Sequence, residues 1–206
     1  MIKAVIFDLD DTLYCQEEFN SSGFHSVTGQ CFAGEKSVYN KMVELKKKGE
    51  FKVFDTLLRE NGTYNYVNVL EMVYLYRTHT PIIRPHEWVK PFLKELQDKN
   101  IKVGIITNGA AVTQQNKIYA LGIKSLINYY FICDILGRDY WKPSHIPYKI
   151  MLNRFHCKAN ECIYVDDDLE YVQSAMNIGM KGVHVLSNDT VPNEIREVIN
   201  AAKIMG

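Results

Sequence analysis

The chain alternates short apolar runs, rich in β-branched residues, with longer segments of helical periodicity, and this alternation limits the possible folds more than any other feature. Short continuous apolar runs predict strands that are buried on both faces, as in parallel sheets. Such runs lie at residues 3–7, 101–107, 129–133, 162–165 and 182–186.

Helical patterns follow each of the last four runs. They are predicted at about residues 111–121, 147–155, 169–178 and 192–203, and Pro192 suits the first turn of the last one. Alternating β and α segments predict a parallel sheet with helices on both faces, and right-handed crossovers make the arrangement doubly wound. The predicted fold class is therefore α/β with a doubly wound parallel sheet.

A long segment without a strand follows the first apolar run. Apolar residues recur at helical spacing within it, at 35–48, 54–60 and 66–78. We therefore predict an inserted all-α subdomain over residues 15–84, with residues 1–14 and 85–206 forming the α/β core. A helix at about 87–98 is expected to return the chain to the sheet.

Polar side chains gather where the predicted strands end. In open α/β sheets, ligands bind beyond the carboxyl ends of the strands, so these side chains are candidates for one site. They are Asp8, Asp10 and Thr12 after the first strand, Thr107, Asn108 and Gly109 at the second, Lys142 in the loop beyond the third, and Asp166 and Asp167 after the fourth.

The chemistry of these residue types indicates phosphate transfer. Carboxylates from two strand ends share a small space at neutral pH only where a cation offsets their repulsion, and Mg²⁺ prefers such oxygen ligands. Hydroxyl, backbone N–H and ammonium groups would hold the phosphate oxygens. One carboxylate can attack phosphorus while a second protonates the leaving oxygen and later activates water. The set predicts a phosphatase with an aspartyl-phosphate intermediate.

The order of these motifs resembles that of the haloacid dehalogenase (HAD) superfamily of phosphohydrolases. The chain has Asp-x-Asp-x-Thr at 8–12, Thr-Asn-Gly at 107–109, Lys-Pro at 142–143 and an acidic cluster at 166–168. The resemblance covers residues 1–13 and about 86–190. The helical insertion after the first motif is similar to the C1 cap of subfamily I members. The resemblance implies a Rossmann-like core, phosphatase activity and Mg²⁺ as the cofactor.

The resemblance also implies a role for each motif residue. Asp8 would be the nucleophile and a metal ligand, and Asp10 would be the general acid and base and offer its backbone carbonyl to the metal. Thr12 would orient Asp10 and belong to the phosphate-binding set. The phosphoryl group would be bound by Thr107, Asn108 and Gly109. Lys142 would neutralise charge on Asp8 and on the phosphate.

The fourth motif departs from the commonest family pattern, in which Gly-Asp is followed about one helical turn later by another acid. Here Asp166 stands in the glycine position, and Tyr171 or Val172 stands where the later acid would fall. Asp167 is the predicted second carboxylate on the metal, and Asp166 is the alternative ligand. Asp168 is predicted to cap the following helix.

Each motif alone also has a plainer interpretation. Asp-Asp and Asn-Gly are common turn residues, so only their joint occurrence at successive strand ends favours catalysis. Two alternatives stay open, a sugar phosphomutase of the same superfamily and a non-catalytic phosphate-binding protein of this fold. A dehalogenase is disfavoured because its chemistry needs neither the second aspartate nor a metal.

The inserted subdomain is expected to select the substrate, because the core is expected to bind only the phosphate. Its basic and acidic residues nearly balance, which favours a small phosphomonoester such as a sugar phosphate or a nucleotide. Packing between helices is the plainer role for its tyrosines. The candidate contacts are Glu17, Glu18, Phe19, Asn20, Arg59, Tyr64 and Tyr66.

Charge and cysteine content limit the partners and the location. The chain has 24 basic and 24 acidic residues, so no net charge attracts it to nucleic acid or an anionic membrane. Its five cysteines lack C-x-x-C spacing, which favours a reducing cytoplasm over a disulfide framework or a structural zinc site. No membrane span is predicted. We expect a monomer, with a homodimer as the alternative.

Overall fold

The structure is a computed structural model that describes residues 1–187 and 190–204, and its side chains as far as residue 202. Residues 188–189 and 205–206, which fall within the predicted core, lie outside the described part. The chain divides into two compact units, one formed by Met1–Cys15 with Arg84–Gly206 and the other by Gln16–Ile83. The function of the second unit as a substrate-selecting cap stays a prediction.

A parallel sheet forms the centre of the first unit. Its strand order is β3-β2-β1-β4-β5, so β1 pairs with β2 on one side and with β4 on the other. Because the strand order reverses next to β1, the carboxyl ends of β1 and β4 border the crevice where ligands bind in such sheets. The strands β1 to β5 are Ala4–Phe7, Lys102–Thr107, Tyr129–Ile132, Cys162–Asp166 and Lys181–His184.

Helices follow the strands of this unit, which confirms the predicted doubly wound α/β fold. The side chains of Ala4 and Ile6 pack into one buried cluster with Tyr148, Met151 and Phe155. All four residues of β1 are buried, which explains its continuous apolar sequence. The helices are α5 (Val89–Asp98), α6 (Ala111–Ala120), α7 (Ile146–Phe155), α8 (Leu169–Asn177) and α9 (Val191–Ile204).

The last strand is shorter than its apolar run suggests. The run predicts a strand over 182–186, whereas β5 covers Lys181–His184 and Leu186 is 82% exposed. Short 3₁₀ turns complete the unit at Lys124–Leu126, Cys133–Leu136, Arg138–Tyr140 and Ala159–Glu161. In the described part of the chain, no helix combines the length and the apolar character needed to cross a membrane.

The second unit is entirely helical in its regular structure. Its aromatic centre is Tyr76, whose ring centroid lies 5.7 Å from that of Phe24 and 5.7 Å from that of Phe54. The buried residues around it include Met42 and Met72. The helices are α1 (Gln16–Cys31), α2 (Lys36–Lys47), α3 (Val53–Glu60) and α4 (Tyr66–Thr78).

The longest helix of this unit, α1, has no counterpart among the helices predicted from periodicity. Its sequence holds Gly23, Gly29 and several serines, all of which disfavour a helix interior. Packing overrides this preference: Phe24 and Val27 are buried, and a Cβ atom at Gly23 would lie 2.4 Å from the Tyr76 ring. The glycine therefore allows α1 and α4 to approach closely.

Candidate active site

A buried group of charged side chains lies at the carboxyl ends of β1 and β4. Asp8 directly follows β1, and Asp166 is the last residue of β4. The ammonium of Lys142 donates to Asp8 Oδ1 and lies 2.8 Å from Asp166 Oδ2. Each of these three residues is less than a tenth exposed. One ammonium thus offsets part of the repulsion between two buried carboxylates.

The carboxylate of Asp166 has further hydrogen bonds. Its Oδ2 accepts from the Tyr164 hydroxyl at 2.5 Å, and its Oδ1 accepts from the backbone N–H of Asp168 at 2.9 Å. The Tyr164 hydroxyl in turn accepts from Lys142 Nζ at 2.9 Å. Tyr164 was not among the site residues predicted from the sequence. Residues two apart in a strand share a face, so its position relative to Asp166 was an available signal.

Burial and neighbouring charges shift the pKa values in this group. Burial raises the pKa of Asp8 well above its usual value; the Lys142 charge opposes this shift, and the Asp166 and Asp10 charges add to it. For Lys142, burial lowers the pKa, but the charges of Asp8 and Asp166 outweigh burial and raise it. The group holds more negative than positive charge, which favours binding of a cation.

Three carboxylates form a candidate ligand set at this place. Asp8, Asp166 and Asp167 each offer an oxygen, and these atoms lie within 4.8 Å of one another. Hard oxygen donors of this kind fit Mg²⁺. Burial raises the pKa of Asp167 to about 6, with further contributions from the charges of Asp166 and Asp11. A bound cation would favour the ionised form of all three.

Thr12 has a different partner from the one expected. Its hydroxyl accepts from the Asp167 backbone N–H at 3.2 Å and donates to Asp167 Oδ1 at 3.3 Å. Among the described residues, no hydrogen bond links the Thr12 hydroxyl to Asp10. The predicted role of Thr12 in orienting Asp10 stays a prediction. The reason for the contact with Asp167 is the strand order: because β1 pairs with β4, the turn after β1 lies against the residues that follow β4. Thr12 ties these two segments together.

The carboxylate of Asp10 is held by three side chains that were not among the predicted site residues. Its Oδ1 accepts from Lys117 Nζ at 2.6 Å and from the Tyr14 hydroxyl, and its Oδ2 accepts from Gln114 Nε2 at 2.7 Å. Gln114 and Lys117 are both buried on α6, together with Ile118. Polar residues at three-residue spacing on the inward face of a predicted helix were the available signal.

Hydrogen bonds also fix the motif at the end of β2. Thr107 Oγ1 accepts from Gln114 Nε2 at 2.5 Å. The Asn108 side chain exchanges two hydrogen bonds with the backbone of Lys142, donating to its carbonyl at 3.0 Å and accepting from its N–H at 2.9 Å. Gly109 has a φ of 117°, and a Cβ there would lie 3.1 Å from Gln114. These contacts align the loops after β2 and β3.

The residues expected to contact substrate in the helical unit have varied surroundings. Phe19 and Asn20 are buried, and Asn20 Oδ1 accepts from the Tyr76 hydroxyl at 2.6 Å. The Arg59 guanidinium lies 3.7 Å from the centroid of the exposed Tyr64 ring. Tyr66 is exposed, and Glu17 and Glu18 occupy the first turn of α1. Their contact with a substrate stays a prediction.

Comparison with known proteins decides the family. The sequence profile of haloacid dehalogenase-like hydrolases matches residues 5–185. The chain belongs to this family. The glyceraldehyde 3-phosphate phosphatase of Methanocaldococcus jannaschii is 28% identical, over 98% of this chain and 98% of that protein. The ribulose-1,5-bisphosphate 5-phosphatase of Halopiger xanaduensis is 25% identical, over 89% of this chain and 84% of that protein.

Solved HAD structures share the fold. One is a Bacillus subtilis protein described as a HAD hydrolase bound to magnesium, with a TM-score of 0.64 and 16% identity, over 88% of this chain and 85% of that one. The predicted family and the predicted class of activity, a HAD phosphohydrolase, are confirmed by these relatives.

Proposed function

We propose that the chain hydrolyses a small phosphomonoester in a Mg²⁺-dependent reaction that passes through a phosphorylated Asp8. The observation that carries the proposal is the buried contact of Asp8 with Lys142, at the same strand ends as Asp166 and Asp167. Asp8 Oδ1 accepts from Lys142, while no hydrogen bond to Oδ2 is found among residues 1–187 and 190–202. This second oxygen is therefore available for attack or for a metal.

In the first step, an Asp8 carboxylate oxygen attacks phosphorus. The new oxygen–phosphorus bond forms as the bond from phosphorus to the substrate's ester oxygen breaks, and Asp10 gives its proton to that leaving oxygen. The ammonium of Lys142 offsets negative charge on Asp8 and on the phosphoryl group. The products of this step are an alcohol and the acyl phosphate of Asp8.

In the second step, the ionised Asp10 takes a proton from water as the water oxygen attacks phosphorus. The bond between Asp8 and phosphorus then breaks, which releases inorganic phosphate and regenerates the Asp8 carboxylate. Asp10 is again protonated and ready for the next turnover. We assign Thr107, the Asn108 backbone N–H and Gly109 to the phosphoryl oxygens, because they end β2 beside the same strand ends.

The Mg²⁺ ligands in this proposal are the side chains of Asp8 and Asp167 and the backbone carbonyl of Asp10. Asp166 is the weaker candidate, because both of its oxygens already accept hydrogen bonds, from Lys142 and Tyr164 on one side and from the Asp168 N–H on the other. When bound, the ion would neutralise charge on the phosphate and the carboxylates. The Bacillus subtilis neighbour, which is described as bound to magnesium, supports Mg²⁺ as the ion.

The substrate class follows from the relatives and from the helical unit. Two relatives are named for phosphatase activity on sugar phosphates, which supports a small sugar phosphate as the substrate here. The helical unit would act as the cap that selects the leaving group. Because the core residues in this mechanism contact only the phosphoryl group and the leaving oxygen, the identity of the sugar would depend on cap residues.

A panel of phosphorylated compounds tests the proposal. Glyceraldehyde 3-phosphate, ribulose-1,5-bisphosphate, pyrophosphate and p-nitrophenyl phosphate are each incubated with the protein and Mg²⁺, and phosphate release is measured. Chelation by EDTA and the Asp8→Asn variant serve as controls, and both are expected to abolish release. Activity that survives both controls would refute the mechanism. A substrate whose phosphate moves to another carbon without release would instead establish a phosphomutase.

We also propose that the protein acts as a cytoplasmic monomer. All five cysteines are free thiols, which is in keeping with a reducing compartment. Light scattering during size-exclusion chromatography tests the oligomeric state, and a mass of one chain is the expected result.

A further inference from the structure

Lys117 is a buried cation that has no part in the mechanism above. Its side chain is only 4% exposed, and its ammonium lies 2.6 Å from Asp10 Oδ1. Removing an ammonium from water is costly unless an opposite charge and hydrogen bonds replace its hydration. The position of this charge beside Asp10 therefore needs an explanation in terms of Asp10.

Three donors from two segments converge on the Asp10 carboxylate. Tyr14, from the turn after β1, and Lys117, from α6, both donate to Oδ1, while Gln114 donates to Oδ2. We call Tyr14, Gln114 and Lys117 the Asp10 cradle. Because both oxygens are held, rotation of the carboxylate about its side-chain torsions is restricted.

The cradle is itself anchored to the phosphate-binding motif. Gln114 Nε2 also donates to Thr107 Oγ1 at 2.5 Å, so one amide group links Asp10 to the end of β2. Gly109 leaves the space that Gln114 occupies, since a Cβ at that position would lie 3.1 Å from the Gln114 amide carbon. The orientation of Asp10 is thus coupled to the residues that end β2.

We infer that Lys117 and Gln114, with Tyr14, are positioning residues that fix the Asp10 carboxylate for proton transfer to the leaving oxygen. The inference rests on the proposed function, in which Asp10 is the general acid and base. A general acid works only within hydrogen-bond reach of the atom it protonates, so a carboxylate that rotates freely loses much of its effect. Of the three cradle residues, only Gln114 also contacts a residue assigned to the phosphate, Thr107, so Lys117 gives the cleaner separation of proton transfer from phosphate binding.

The test compares Lys117→Met and Gln114→Leu, which remove the donors and keep similar volume, with two matched controls. Lys94→Met removes an exposed lysine of α5, and Gln115→Leu removes the exposed neighbour of Gln114 on α6. The values of kcat and KM are measured for p-nitrophenyl phosphate, whose leaving group needs little protonation, and for the best alkyl phosphate substrate. Circular dichroism checks that each variant is folded.

The inference predicts a loss that depends on the leaving group. In both cradle variants, kcat/KM for the alkyl phosphate falls about 10²-fold, and the loss for p-nitrophenyl phosphate is about tenfold smaller. In Lys117→Met, KM changes little. The controls keep wild-type values. If Lys117→Met fails to fold, Gln114→Leu carries the same comparison.

Two results would overturn the inference. If the folded cradle variants keep the wild-type kcat/KM for the alkyl phosphate, the cradle does not contribute to catalysis. If kcat/KM falls equally for both substrates, the effect of the substitutions is a general structural one. In either case the proposed function would stand if the wild type still showed turnover that depends on Asp8. A wild type whose turnover did not depend on Asp8 would refute the proposed function as well.

Discussion

Lys142 and Asp8 form a buried ion pair although 134 positions separate them in the sequence. The parallel sheet brings them together, because the carboxyl ends of all its strands lie at one edge and β1 occupies the middle of the strand order. The contact explains why a lysine in the loop between β3 and α7 can serve a carboxylate at the start of the chain. It also makes Asp8 the most direct place to test the mechanism.

Replacement of Asp8 by asparagine should abolish phosphate release. Asparagine has nearly the same shape but is a poor nucleophile, so we expect kcat to fall on the order of 10³-fold or more. Phosphate release under saturating Mg²⁺ measures the loss. Asp11→Asn is the matched control, because Asp11 is exposed and its φ of 52° suits asparagine, so its activity should stay close to that of the wild type. Substantial residual activity in Asp8→Asn would count against the nucleophile assignment.

Replacement of Asp167 should weaken the response to metal. If Asp167 ligates Mg²⁺, Asp167→Asn raises the Mg²⁺ concentration for half-maximal activity by about tenfold or more, because a neutral amide is a weaker ligand. The control is Asp168→Asn, since Asp168 caps α8 by accepting from the Glu170 N–H and asparagine caps about as well. Equal metal responses in the two variants would move the ligand assignment to Asp166.

If Asp167 ligates the metal, its pKa should make metal binding depend on pH. Burial, followed by the charges of Asp166 and Asp11, raises this pKa to about 6. The carboxyl group is therefore protonated below that pH and ionised above it, and as a ligand it would have to lose its proton before a metal bound. We expect the Mg²⁺ affinity to fall as the pH drops below about 6. Calorimetric titrations at about pH 5 and about pH 7.5 measure the change, which should be smaller in Asp167→Asn; a wild-type affinity that did not change would contradict the prediction.

Glu95 should contribute to stability in mild acid. Hydrogen bonds from Arg196, and then from Lys99, lower its pKa to about 2, below the value of about 4.3 expected in the unfolded chain. Its contribution is therefore fully present above about pH 4.3 and is lost as the pH falls through about 2. Because the pair is partly exposed, we expect less than about 1 kcal/mol.

Urea unfolding at about pH 5 and about pH 2.5 measures this contribution. Glu95→Gln should lower the free energy of unfolding at the higher pH, and the difference from the wild type should shrink at the lower pH. Asp98→Asn is the control, because the Asp98 side chain pairs with Lys94 while 63% exposed and should change stability less. A constant difference across this pH range would exclude the titration of Glu95 as its cause.

The sheet and the motif residues were accessible from the sequence for a physical reason. Buried parallel strands require continuous apolar runs, and polar residues at their carboxyl ends meet at one edge whatever the loops do. It was therefore possible to predict from the sequence that one site contains Asp8, Thr107 and Asp166. The role of Asp168 as a helix cap also followed locally, because a capping side chain bonds within its own turn.

The surroundings of Asp10 were less accessible. Gln114 and Lys117 lie on a helix whose periodicity was recognised, and their spacing places them on its inward face. Periodicity does not report which carboxylate this face contacts, because that depends on tertiary packing. In the sequence, Tyr14 and Tyr164 follow apolar residues and resemble packing residues. Only the structure shows that their hydroxyls donate to the carboxylates of Asp10 and Asp166. The helix α1 was missed because its glycines and serines oppose helix formation, and the contact with Tyr76 that favours it is distant in sequence.

Chemical trapping of the acyl phosphate tests the central claim most directly. The protein is quenched during turnover of a good substrate with Mg²⁺ and treated with borohydride, which reduces an aspartyl phosphate to homoserine, and peptides are sequenced by mass spectrometry. The mechanism predicts homoserine at position 8 only when substrate is present. Rapid phosphate release with position 8 unmodified, or with homoserine found at another position, would contradict it.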